Sequence, residues 1–167
     1  MAYALGVPVL LLLAILQSAV FSQVRLLEGQ ADLVLLAIVA WALTGRWREA
    51  MLLALVGGVF VDLLSAVPIG VSSLALVIIA YGVAVTEGRL WGAHLLTPLG
   101  VVLAASVVFS AFGLLGSLLA GAVIDLGSVS TRVVLPGVFL NLLLALPAAQ
   151  LASVVQRMLF PPEVEIA

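Results

Sequence analysis

Of the carboxylates in this sequence, Asp62 is the one whose setting demands a chemical explanation. It sits within GVFVDLLSAVPIG, residues 58–70, a run otherwise suited to lipid. A charged Asp at the centre of a membrane helix costs roughly 2.5–3.5 kcal/mol, falling toward the interface. The other acids occupy cheaper places: Glu28 and Asp32 flank the first loop, Glu49 and Glu87 lie at helix ends, Asp125 in the last loop, and Glu163 and Glu165 in the tail. None of them pairs with a base in a catalytic pattern. There is no G-x-S-x-G, no H-E-x-x-H and no P-loop, the last being impossible in a chain without lysine. Cysteine is absent, and the single histidine, His94, lies near Trp91 where an interfacial ring is expected. One histidine without a paired carboxylate makes no metal site. The sequence therefore points to no catalytic residue, no cofactor and no metal.

Spacing indicates where Asp62 points. Ala54, Gly58, Asp62 and Ser65 recur every three or four residues and form one stripe of small or polar side chains. In membranes such a face marks close helix approach. Asp62 precedes Pro68 by roughly 9 Å of helix, which places it in the outer half of its segment. The next helix begins after Pro68-Ile69-Gly70, so its free N–H groups near Ser72 and Ser73 are the expected partners. Arg25 or Arg132 is a second possible partner. Structural fastening, a partner-facing contact and a proton or ligand site all remain open readings of this corner.

A second stripe, Ser106, Ser110, Gly113, Ser117, Ala120 and Gly121, keeps the same period over four turns. It serves either packing within the bundle or reception of a helix from another protein. Gln17, Asn141 and Gln150 are amides inside apolar runs, expected to bond across helices.

These residues must be positioned by membrane helices. The chain has 167 residues, 65% hydrophobic and 8% charged, more apolar surface than one water-soluble core can hide. Apolar runs predict six transmembrane helices at roughly 4–22, 31–44, 50–67, 71–86, 93–122 and 133–160, in a single domain covering 1–167. Pro98, Pro136 and Pro147 are expected at kinks or helix starts. The first run lacks a preceding positive charge and a small-x-small cleavage site, so it reads as a retained helix. With both termini cytoplasmic, Arg46, Arg48, Arg89 and Arg157 fall inside, and Arg25 and Arg132 outside, as the positive-inside rule prefers. The scattered arginines form no nucleic-acid stripe and no polybasic lipid patch.

The order of these features resembles the rod shape-determining membrane protein MreD family. The likeness rests on Leu16-Gln17-Ser18, Ala31-Asp32-Leu33, Trp41-Ala42-Leu43, Gly57-Gly58, Asp62-Leu63-Leu64-Ser65, Val67-Pro68-Ile69-Gly70 and Tyr81-Gly82. It covers about residues 16 to 86, and the second half matches only as generic hydrophobic helices. Ala31 stands where the family often has Pro, and Ala66 where it often has Gly. The resemblance implies a non-enzymatic, multi-pass subunit of the bacterial inner membrane that helps regulate peptidoglycan synthesis and cell shape. It implies an MreC-like single-helix partner and, indirectly, MreB, RodA and a class B penicillin-binding protein, with the fifth-helix stripe as candidate docking surface. The family is also likened to the substrate-binding subunits of energy-coupling-factor transporters, which leaves a small-ligand pocket near Asp62 as the alternative.

Overall fold

The computed structural model describes residues 2–21, 29–65, 67–86, 97–123 and 125–159. Within them the chain is helical, in six stretches. α1 (Ala2–Leu16) runs on into a π-helical turn, Gln17–Phe21. α2 is Leu33–Ala42, α3 Trp47–Leu64, α4 Val71–Thr86 and α5 Thr97–Leu119. α6 is Leu126–Leu159 and contains a second π-helical turn, Ser130–Val134, just before Pro136. A proline cannot donate to the ladder, and the wider turn relieves its clash with the preceding carbonyls.

α2 is the hub. At ten residues it is about 15 Å long, half the hydrocarbon thickness, and it touches each of the other five helices. A helix that is apolar all round must be surrounded. Accordingly Val34, Leu35, Leu36, Ile38, Val39, Ala40 and Ala42 are all buried, against Ala50 and Ala54 of α3, Leu76 and Ala80 of α4, and Ala145 of α6. The outer surface is apolar too. Leu12, Leu63, Leu119, Leu143 and Met158 are more than 60% exposed, the inverse of a water-soluble shell and the surface expected against lipid. On length and composition, Thr97–Leu119 and Leu126–Leu159 are able to cross a bilayer.

The helix limits correct the sequence-based expectations in three places. α6 starts at Leu126, where a loop over Asp125–Arg132 is expected. Asp125 Oδ1 accepts from Gly127 N–H at 3.2 Å, and the Ser128, Ser130 and Thr131 hydroxyls bond to carbonyls three or four residues back. Residues that compete with helices elsewhere here satisfy one. α3 is displaced toward the N-terminus, taking in Trp47 and ending at Leu64, so Asp62 lies in its last turn. α2 loses its expected ends because Asp32 is its cap and the chain turns at Gly45, whose φ is +86°. Pro98 opens α5 as expected, and Pro147 lies inside α6.

Candidate functional site: two trans-capped helix starts around a cavity

α2 and α4 start at the same end of the bundle, and each N-terminus is capped by a side chain from the preceding helix. Gly70 stands at the cap position of α4, with φ +104° and no side chain to offer its orphan N–H groups. Asp62 supplies the acceptors. Its Oδ2 accepts from Gly70 N–H at 2.7 Å and its Oδ1 from Ser72 N–H at 3.0 Å, with the Ser73 hydroxyl 3.4 Å from Oδ2. A carboxylate is unfavourable in the last turn of its own helix, and the positive end of α4 compensates it. Arg132 lies on an exposed turn of α6 and is not among the partners of Asp62. Arg25 and His94 lie outside the described residues.

α2 repeats the arrangement with different chemistry. Asp32 is the cap residue, but its side chain makes no capping bond. Gln17, in the π turn after α1, accepts from Val34 N–H through Oε1 at 3.3 Å and donates from Nε2 to Asp32 Oδ1 at 3.1 Å. Asp32 N–H in turn donates to Asn141 Oδ1 at 2.8 Å. Asn141 Nδ2 lies 3.3 Å from Asp32 Oδ2 and 3.1 Å from Ser106 Oγ. One buried network thus ties α1, α2, α5 and α6. Between membrane helices each such bond contributes on the order of 1 kcal/mol, and burying one Leu against another adds little. These polar ties therefore fix which faces meet.

The remaining expected residues separate by role. Gly58 sits where α3 meets α4, and a Cβ there would fall within contact distance of the Ser73 backbone. Ala54 and Asp62 are buried on the same face, whereas Ser65 is exposed at its end. Pro68 forms the turn, its carbonyl accepting from Val71 N–H at 3.3 Å. Trp41 is half-buried in the last turn of α2, and its buried Nε1–H finds no acceptor among the described residues.

The α5 stripe does not form one free face. Ser106 is buried in the network, Gly113 lines a cavity, and the Ser117 hydroxyl bonds to its own helix at Gly113 O, 2.9 Å away. Ser110 is half-buried, and Gly121, φ +85°, terminates the helix. The glycine packed against Val67 and Val71 is Gly116, outside the stripe. Gln150, expected buried, is exposed on α6; nearby, Gln156 Nε2 reaches the Thr44 carbonyl at 3.3 Å.

Two hollows border this framework. The first, about 330 Å³, lies between the two capped helix starts and is lined by Gln17, Ser18, Gln30, Asp32, Ser65, Ser72, Phe109, Phe112 and Gly113, with aliphatic neighbours. Ser18, Gln30, Phe109 and Phe112 carry no spacing signal in the sequence. The second, about 630 Å³, is an apolar groove with α2 as its floor and α1 and α6 as its walls, lined by Leu5, Val9, Leu13, Trp41, Leu144 and Ala148 among others.

With this geometry established, comparison with known proteins gives one decisive result. The family model for rod shape-determining protein MreD matches residues 2–154 of the chain. The chain belongs to the MreD family. The match extends through α5 and most of α6, well beyond the stretch on which the resemblance rests. MreD-family membership gives the chain a part in rod-shape determination and makes it a membrane protein. No curated protein and no solved structure matches the chain significantly.

Proposed function

We propose that this MreD-family chain is a non-enzymatic scaffold in the bacterial plasma membrane, one that holds the single helix of an MreC-like partner against the bundle and thereby helps position the peptidoglycan-synthesis machinery. The observation that carries this reading is the apolar groove over α2. Its two walls are exposed faces of α1 and α6, and its lining is almost wholly hydrocarbon. Small residues along it, Gly6, Ala37, Ala40, Ala148 and Ala152, allow a helix to approach closely. Trp41 contributes its ring to the floor, its indole N–H being turned into the protein. On α5, among the described residues, only Ser106 of the stripe is taken up by bonds to another helix, and no continuous groove follows the rest, which favours the groove over α2 as the docking face.

The test is co-purification of the MreC-like partner from gently solubilised membranes. Ala148→Trp fills the groove, whereas Val107→Trp alters an exposed position on α5. The groove variant is expected to lose the partner at normal folded yield, and the α5 variant to retain it. The reverse pattern would return the docking face to α5.

A further inference from the structure

The 330 Å³ cavity between the α2 and α4 starts has features that internal packing does not use. Its volume, near the lower limit for small-molecule sites, equals that of about ten liquid water molecules. One wall carries the Asp32 carboxylate. Each of its oxygens takes one bond, from Gln17 and from Asn141, so a carboxylate with roughly four acceptor sites retains capacity. The lining also includes Ser72, only 6% exposed, whose hydroxyl has no partner among the described residues. Phe109 and Phe112 line the same space, and the described lining includes no Lys or Arg.

The charge balance selects the ligand. Two helix N-termini contribute about half a positive charge each, against the two carboxylates Asp32 and Asp62 that cap or adjoin them. Among the described residues the region is therefore net negative and rich in acceptors. A primary ammonium supplies three N–H donors for Asp32 and Ser72 and a charge that aromatic rings such as Phe109 and Phe112 accommodate. An anion meets no described cation here, and a quaternary amine brings no donor.

We infer that this cavity is a binding site for a small ligand bearing a primary ammonium group, whether the headgroup of an aminophospholipid or a free amine. The inference does not depend on the scaffold reading, because the cavity and the docking groove have no described lining residue in common.

The test uses the full chain in nanodiscs. Native mass spectrometry after release from discs of equal phosphatidylethanolamine and phosphatidylglycerol content should show the amine lipid retained at least tenfold over phosphatidylglycerol. In discs of phosphatidylglycerol alone, ethanolamine should raise the unfolding midpoint, and choline should do so much less. Retention supports the lipid source and the ethanolamine shift alone supports the free amine. Gly113→Leu projects into the cavity, where an added Cβ meets nothing within 4 Å, and Ser72→Val removes the free hydroxyl. Both should reduce binding at least tenfold. Their unliganded unfolding midpoints should match the unmodified chain, which separates loss of ligand from loss of fold. Equal retention of both lipids with no ethanolamine shift would overturn the inference, as would full binding in Gly113→Leu.

Discussion

At the scale of single residues, the same problem is solved twice: a short helix begins with N–H groups that have no intrahelical acceptor, and a side chain from the helix before it takes them. Asp62 uses both oxygens on backbone donors. Asp62→Asn retains one acceptor and turns an amide N–H₂ toward the other donor, whereas Asp62→Leu abandons both. A buried unsatisfied donor costs about 1–3 kcal/mol. Thermal unfolding of purified protein should therefore rank Asn as milder than Leu, with both below the unmodified chain; equal loss would dismiss the capping role. Asn141 is the corresponding hinge of the other network. Asn141→Leu strands Asp32 N–H and weakens the hold on Asp32 and Ser106, and should cost on the order of 2 kcal/mol or more. Ser106→Ala, losing one bond, should cost about 1 kcal/mol. The two networks differ in how far they were legible. Asp62 and its partners lie within eleven residues, so helical spacing and a following turn point to the pairing. Asp32 and Asn141 are 109 residues apart, and nothing local tells an amide which helix it will meet.

At the scale of elements, glycine separates close contacts from open ones. α3 and α4 follow each other closely in the chain and are pulled together by Asp62, so their backbones meet at Gly58. Gly58→Ala has no space for its methyl group and should cost about 1–3 kcal/mol through overpacking, measured as a lowered unfolding midpoint. On α5 the contrast falls between neighbours. Gly116→Leu collides with Val67 and Val71 and should lower folded yield, while Gly113→Leu faces open space and should not. The sequence pattern favours Gly113 because it shares a period with the serines, but small-residue spacing does not reveal whether a neighbouring helix is present. Helix limits were readable where hydrophobicity falls abruptly, as for α4. They were not readable at the start of α6, where Gly, Ser and Thr resemble a loop in composition and behave as a self-capped helix.

At the scale of the whole molecule, the ends of the bundle differ in character. One end holds the two capped helix starts, the cavity and Asp125. The other holds the α2–α3 turn, where Arg46 pairs with Glu49 at 3.5 Å and Arg48 lies over the Trp47 ring with 5.1 Å to its centroid. An aromatic ring and paired charges at a helix start suit the membrane–water interface, and the arginines there suit the cytoplasmic face. α2 and α4 both run from the first end toward the second, and α3 returns between them, so residues 46 and 69 lie at opposite ends of the fold. This arrangement does not depend on which end faces the cytoplasm. The sequence contains no cysteine, so single replacements provide a clean test. Ile69 is 74% exposed and Asp125 is exposed, and cysteine at either position should react with an impermeant thiol reagent added outside intact cells. Cysteine at position 46 should react only after the membrane is opened. Labelling of 46 alone from outside would preserve the fold and reverse its orientation. Labelling of 46 and 69 from the same side would contradict the bundle itself.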